Sequence, residues 1–152
     1  MTVMEFVWSS SGVRRLTQGR CVDILIIEDD LDCNEIMYEV VRSFGFDVGT
    51  VFSVQEAIDC IKRHPEVKLV ISDFFLGDAT GFDFMLAAKQ HKSDVGQALF
   101  GVFIVSGHTN MSSDAILKAG ALRFFPKPVD FERLRSAVMS FMGGKMGTGS
   151  EN

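Results

Sequence analysis

Five side chains that could carry chemistry stand at the ends of short apolar runs. Glu28 and Asp29 come directly after ILII, and Asp73 comes directly after LVIS. Ser106 follows VFIV, and Lys127 closes the run LRFFPK. If these runs are parallel strands of one sheet, their carboxyl ends meet at the same edge. The three carboxylates, the hydroxyl and the ammonium would then form a single site.

Three carboxylates at one place repel one another unless a cation lies between them or a proton is retained. Carboxylate and water oxygens are the ligands that Mg²⁺ prefers. The carboxylates would contribute a charge of −3, and Lys127 together with one Mg²⁺ would contribute +3. Such a balanced site can accept a phosphoryl group, whose charge needs a metal, an ammonium and hydroxyl donors around it.

The elements that must position these residues follow an alternating pattern. Apolar runs typical of buried strands alternate with segments that carry helix signals, such as the capping box of Ser53 and Glu56. The predicted strands are residues 23–27, 48–52, 68–72, 102–105 and 122–125. The predicted helices are residues 30–44, with Asp30 or Asp32 as the cap, and residues 53–64, 80–91, 112–119 and 130–142. Five strands that alternate with five helices predict an α/β fold with a doubly wound parallel sheet covered on both faces.

Composition limits the class of protein. The chain has 152 residues, of which 47% are hydrophobic, and this is the size of one ordinary domain. The net charge of −5 argues against direct DNA binding, which needs a basic surface. Three cysteines without a CxxC pair do not form a disulfide framework. Since no apolar run is long enough for a membrane span and no secretory signal is visible, we expect a cytoplasmic protein without membrane contact.

Both ends of the chain differ from its middle. Residues 1–20 are rich in Ser, Gly and Thr and show no apolar period, so we expect a flexible N-terminal extension. Residues 143–152 are Gly-rich and are predicted to form a flexible tail. The folded domain is therefore predicted to span residues 21–142.

Four motifs in this order resemble those of response-regulator receiver domains of two-component signalling. They are ILIIEDD, LVISDFFLGDATGF, FIVSGHT and FFPKPVD. Each motif alone is weakly specific, but the four in sequence at predicted strand ends are highly specific. The resemblance covers residues 22–142 and implies a flavodoxin-like sheet with strand order 2-1-3-4-5, as in the chemotaxis receiver that exemplifies this order.

The resemblance implies a role for each residue of the predicted site. Asp73 matches the phosphoacceptor, which forms an aspartyl phosphate. Glu28 and Asp29 match the pair that binds Mg²⁺, with Asp73 and the main-chain carbonyl of Phe75 as further ligands. Without the other motifs, Asp73 would be read as a turn cap and the acidic pair as stabilising a helix dipole.

Three further positions follow from the same resemblance. Ser106 matches the switch hydroxyl that contacts the phosphoryl group. Lys127 matches the lysine that pairs with Asp73 and later with the phosphoryl oxygens, and the resemblance implies a cis bond to Pro128. Phe124 takes the place of the switch aromatic, although a plain core phenylalanine remains an alternative.

The departures from the family pattern concern the lifetime of the phosphoryl group. Phe75 lies two residues after Asp73, and His108 lies two residues after Ser106. A bulky apolar Phe75 should obstruct an attacking water, whereas His108 could either orient water or shield the site. Gly77 stands where receivers often carry proline, so we expect a more mobile loop there.

The resulting hypothesis is a single-domain receiver that takes a phosphoryl group from a phosphohistidine. The donor would be a sensor histidine kinase or a histidine phosphotransfer protein, and the signal would pass to a downstream protein target. Weak homodimerisation stays open. Beyond its own phosphorylation and slow dephosphorylation, no enzyme activity is expected. A phosphatase with an aspartyl intermediate is disfavoured because Phe75 stands where that class has an aspartate, and a pseudo-receiver that binds partners without phosphorylation is the alternative.

Overall fold

The computed structural model describes residues 21–95, 100–107 and 112–146. The strands are β1 Ile24–Ile27, β2 Val48–Val51, β3 Leu69–Asp73, β4 Phe75–Leu76, β5 Ala79–Thr80, β6 Gly101–Ser106 and β7 Arg123–Pro126. The helices are α1 Leu31–Arg42, α2 Val54–Arg63, α3 Gly81–Val95, α4 Ser113–Lys118 and α5 Phe131–Met146. Among these helices, none is both long and apolar enough to cross a membrane.

Five of the strands form one parallel sheet in the order β2-β1-β3-β6-β7. If only the strands of this sheet are counted, the order is 2-1-3-4-5. The flavodoxin-like fold with five helices is therefore confirmed. The central strands are buried on both faces because helices cover the sheet on each side, which explains why their sequences are almost entirely apolar.

The core consists of two clusters, one on each face of the sheet. One cluster joins residues of β1 such as Leu25 to buried residues of α2, α3 and α4. The other joins Ile24 and Ile26 to buried residues of α1 and α5, among them Leu134 and Val138. Burying one such aliphatic side chain stabilises the fold by roughly 1.5–3 kcal/mol, and these clusters hold the strand ends in fixed positions.

The predicted helix caps are present. The Asp30 carboxylate accepts a hydrogen bond of 2.9 Å from the Cys33 N–H, so Asp30 is the cap of α1. At the start of α2, the Ser53 hydroxyl accepts from the Glu56 N–H at 3.2 Å, and the Glu56 carboxylate accepts from the Phe52 N–H at 2.8 Å. Both caps lie in the short connections that follow β1 and β2, and they fix the points at which α1 and α2 begin.

A short antiparallel hairpin follows β3 where the sequence predicts only a mobile loop. In it β4 pairs with β5, and Phe75 lies opposite Thr80. Gly77 has a φ of +68° in the two-residue turn, a conformation that glycine adopts without strain. A Gly-Asp step between two short apolar or β-branched pairs is typical of a hairpin turn.

Helix α5 extends further than predicted. It continues to Met146, so residues 143–146 are helical. Each glycine in a helix costs about 1 kcal/mol relative to alanine, but buried Met142 anchors the preceding turn of this 16-residue helix. Residues 1–20 and 147–152, both predicted to be flexible, lie outside the described residues.

Candidate functional site

Three carboxylates meet at the carboxyl end of the sheet. Glu28 comes directly after β1, Asp29 follows it, and Asp73 is the last residue of β3. Because β1 and β3 are neighbours with Ile27 opposite Ser72, the two strand ends lie side by side. One oxygen from each carboxylate lies within 4.8 Å of the others. The structure thus brings together the three acidic residues that the sequence predicts at this edge.

Lys127 reaches the same cluster from the other side. It follows β7, its main-chain N–H donates to the Ser106 carbonyl at 2.9 Å, and its peptide bond to Pro128 is cis. The Lys127 Nζ lies 2.8 Å from Asp73 Oδ1 and 3.5 Å from Glu28 Oε1. The ammonium therefore pairs with the predicted phosphoacceptor and partly offsets the charge of the acidic cluster.

Burial makes this cluster electrostatically unfavourable. Glu28 is only 5% exposed. Loss of water around Glu28, together with the nearby charge of Asp73, raises the pKa of Glu28 to about 7. Burial also raises the pKa of Asp73, although the hydrogen bond from Lys127 opposes the rise. Burial would lower the pKa of Lys127, but the bond to Asp73 and the charge of Glu28 outweigh it and raise that pKa.

Main-chain donors orient two of the carboxylates. The Asp30 N–H donates to Glu28 Oε2 at 3.1 Å. The Phe75 N–H donates to the Asp73 carboxylate. Asp29 is exposed, and the turn at Gly77 lies beside it, since a Cβ at Gly77 would be 3.9 Å from Asp29 Oδ2. The hairpin thus flanks the open side of the cluster.

The other predicted site residues are Ser106, Phe124, Phe75 and His108, and the structure describes the first three. Ser106 ends β6, is 2% exposed, and lies one residue beyond the partner of Asp73 in the strand register. Phe124 is half-buried in β7 and packs against the core cluster on the face of α2, α3 and α4. His108 lies outside the described residues. The Phe75 side chain is 39% exposed and packs edge-on against Phe74, with ring centroids 4.8 Å apart.

The donor set fits a small divalent cation. Two oxygens on opposite sides of Mg²⁺ are about 4 Å apart, close to the 4.8 Å within which the three carboxylate oxygens lie. Burial raises the pKa values of Glu28 and Asp73, and a bound cation would oppose that rise. Glu28, Asp29 and Asp73 could therefore hold Mg²⁺ while Lys127 remains beside Asp73.

An apolar cavity adjoins the cluster and was not predicted. It has a volume of about 170 Å³ and lies between α1 and the start of α5, with Cys33, Ile36, Val129 and Phe131 among its lining residues. Glu28, Asp73 and Lys127 form part of its wall. Ile36 is 52% exposed and Phe131 is 39% exposed, so apolar side chains at the mouth of this cavity face the solvent.

Comparison with known proteins identifies the family. The model of the response regulator receiver domain matches residues 24–139. Response regulator protein PilR of Pseudomonas aeruginosa is 31% identical over 114 residues, which are 75% of this chain and 24% of PilR. Two-component response regulator ORR5 of Oryza sativa subsp. japonica is 27% identical over 133 residues, which are 86% of this chain and 96% of ORR5.

Further matches include a much longer protein and a solved structure of similar length. The transcriptional regulatory protein ZraR of Salmonella typhimurium is 25% identical over 86% of this chain, which spans only 28% of ZraR. The chain thus covers about a quarter of the length of ZraR and PilR. A response regulator receiver domain protein of Clostridium thermocellum superposes with a TM-score of 0.71 at 22% identity, over 82% of this chain and 97% of that one. Since the family model matches most of the chain, the protein belongs to the response-regulator receiver domains of two-component signalling.

Proposed function

We propose that Asp73 accepts a phosphoryl group from a phosphohistidine and that Glu28, Asp29 and Asp73 hold the Mg²⁺ that this transfer needs. The observation that carries the proposal is the 2.8 Å contact of Lys127 with Asp73 inside a cluster of three carboxylates. A structural ion pair would need one carboxylate, whereas three of them at two neighbouring strand ends could hold a cation beside the nucleophile. The main-chain carbonyl of Phe75 is proposed as a further ligand.

The transfer exchanges one bond to phosphorus for another. An oxygen of the Asp73 carboxylate bonds to phosphorus while the bond between phosphorus and the donor imidazole nitrogen breaks, and that nitrogen keeps the electron pair. Lys127 then moves its hydrogen bond from Asp73 to a phosphoryl oxygen. When bound, Mg²⁺ neutralises charge on the phosphoryl oxygens. The Asp30 N–H orients the carboxylate of Glu28, which would help to hold the metal.

The switch response is proposed to involve Ser106 and Phe124. A hydroxyl at the end of β6 can turn toward a new phosphoryl oxygen, which changes the space beside β7 where the half-buried Phe124 packs. This makes phosphorylation a two-state electrostatic switch on the surface of α4, β7 and α5. Phe75 and His108 are proposed to set how long the phosphoryl group persists.

The partners follow from this chemistry. The phosphodonor is proposed to be a sensor histidine kinase or a histidine phosphotransfer protein, and the output is the binding of a downstream protein target. The surface of α4, β7 and α5 is also where weak homodimerisation is proposed. In this account the protein acts in signalling from the cytoplasm and is not a classical enzyme.

Intact mass spectrometry after incubation with acetyl phosphate and Mg²⁺ tests the proposal. We expect the parent protein to gain one acid-labile phosphoryl group and Asp73→Asn to gain none. Asp78→Asn is the matched control, because Asp78 is an exposed acidic residue in the nearby hairpin turn. Full labelling of Asp73→Asn would remove Asp73 from its role, and an unlabelled parent would favour a pseudo-receiver.

A further inference from the structure

Asn34 is a fully buried polar residue on the side of α1 that packs against the sheet. It is 0% exposed, and it shares the inner side of the helix with buried Met37 and Val41. Its Nδ2 donates to the carbonyl oxygen of Glu28 at 2.9 Å and to that of Val51 at 3.2 Å. The amide therefore joins the ends of β1 and β2 at the acidic cluster.

The surroundings fix the orientation of this amide. Both neighbours are carbonyl oxygens, which only accept hydrogen bonds, so the NH₂ group must face them. The Asn34 Oδ1 then lies buried without a hydrogen-bond partner among the described residues. A buried acceptor without a partner is costly. An aliphatic residue would avoid that cost, so the two donated bonds are what this position gains from asparagine.

Those bonds complete the restraint of Glu28. The Glu28 N–H donates to the Val51 carbonyl at 3.2 Å, its carbonyl accepts from Asn34, and its carboxylate accepts from the Asp30 N–H. The main-chain N–H of Asn34 in turn donates to the Asp30 carbonyl at 2.8 Å. Asn34 thus contacts the turn of residues 28–30 through both its side chain and its main chain.

We propose that Asn34 is a positioning residue for the cation site. Its amide holds the main chain of Glu28 against the end of β2, and this sets the direction in which Glu28 and Asp29 present their carboxylates. The cation part of the proposal rests on the proposed function, whereas the restraint on the Glu28 main chain does not. Groups that orient metal ligands typically change metal affinity about 10- to 100-fold when removed.

The test compares Asn34→Leu with a control that is destabilised elsewhere. Leucine has a similar size and no donor, so it removes both bonds. The control is Val138→Ala, because Val138 is fully buried in α5 and belongs to the core cluster that also contains Met37 and Val41 of α1. Two readouts are taken on folded protein, namely Mg²⁺ affinity by calorimetry and amide hydrogen exchange at Glu28 relative to Leu69.

We expect Asn34→Leu to bind Mg²⁺ at least about 10-fold more weakly than the parent. We also expect the ratio of the amide exchange rate at Glu28 to that at Leu69 to be higher in this variant than in the parent. Val138→Ala should keep the parent value of both. Parent-like Mg²⁺ affinity and exchange in Asn34→Leu would overturn the proposal, and so would an equal change in Val138→Ala.

If the parent itself does not bind Mg²⁺, the metal part of the proposed function fails, and the Glu28 exchange alone decides whether Asn34 positions this turn. If Asn34→Leu does not fold, Asn34→Ser replaces it, since its short hydroxyl cannot donate to both carbonyls. Parent-like exchange at Glu28 in that variant would contradict the proposal.

Discussion

Glu66 and Glu28 lie at opposite ends of the sheet, and their surroundings shift their pKa values in opposite directions. Glu66 lies at the amino end, where its Oε2 accepts from the Val22 N–H at 3.0 Å and lies 3.0 Å from His64 Nδ1. Burial alone would raise the pKa of Glu66, but the hydrogen bonds from His64 and from main-chain N–H groups outweigh it and lower that pKa. At the carboxyl end, burial and the charge of Asp73 raise the pKa of Glu28 to about 7.

The difference lies in how the donors are distributed. At the amino end, a neighbouring histidine and a main-chain N–H share a single carboxylate oxygen of Glu66. At the carboxyl end, one lysine pairs with only two of the three clustered carboxylates, Asp73 and Glu28. The first arrangement stabilises the charged form of its glutamate, and the second leaves charge that a cation could neutralise. Perturbed carboxyl groups of the second kind are typical of functional sites.

The largest predicted effect is a loss of stability with rising pH when no metal is present. The pKa of Glu28 is about 7 in the folded protein against 4.5 for an unperturbed glutamate. The folded state therefore binds this proton more tightly. The resulting stability is complete below the unfolded pKa and is lost as the pH rises through the folded pKa. We expect a decrease on the order of 2 to 3 kcal/mol between pH 5 and pH 8, measured by denaturant unfolding in chelator.

Glu28→Gln provides the control for this slope. Glutamine keeps the size of the side chain and removes the titration. The free energy of unfolding of the variant should therefore rise relative to that of the parent as the pH increases toward 8. Parallel pH profiles of the two proteins would show that Glu28 is not the group whose charge is unfavourable.

Most of the fold was predictable from the sequence, because its signals are local. Alternating apolar runs predict the strands, and Ser53 with Glu56 predicts the start of α2. The acidic edge was also predictable, since parallel strands place their carboxyl ends together. The Gly77 hairpin was missed because Gly77 in place of a proline was taken to indicate only a mobile loop. The end of α5 was missed because the Gly-rich residues after Met142 were not expected to be helical. The role of Asn34 depends on contacts with two strand ends, and a polar residue at a buried helix position was its only signal.

A smaller effect concerns the open side of the acidic cluster. Phe75 is exposed beside Asp73 and cannot hold a water by hydrogen bonding. We expect Phe75→Asn to shorten the half-life of the phosphorylated protein several-fold, which corresponds to about 1 kcal/mol of barrier. Decay is followed by mass spectrometry, with Leu86→Asn as the control because Leu86 is an exposed apolar residue of α3.

His108 could also influence this lifetime, so Phe75→Asn is measured with and without His108→Ala. An unchanged or longer half-life in both backgrounds would mean that Phe75 does not obstruct the attacking water.

The smallest effect is expected at the amino end. Glu66→Gln should lower stability by about 0.5 to 1 kcal/mol at pH 7, because it removes the charge from a hydrogen-bonded acceptor. The pKa of Glu66 is lowered, so its contribution is present above the unfolded pKa and is lost as the pH falls through the folded pKa. Denaturant unfolding at pH 7 and at pH 3 checks this direction. A variant more stable than the parent at pH 7 would contradict the contrast between the two ends.

The central claim is that the acidic cluster is a cation site, and Mg²⁺ titration by calorimetry at pH 8 and pH 6 tests it most directly. We expect weak binding at pH 8, several-fold weaker binding at pH 6 because Glu28 retains a proton there, and a loss of about 10-fold or more in Asp29→Ala. Asp32→Ala, which changes an exposed acidic residue of α1, should bind like the parent. A parent that does not bind Mg²⁺, or an Asp29→Ala variant with parent affinity, would contradict the account.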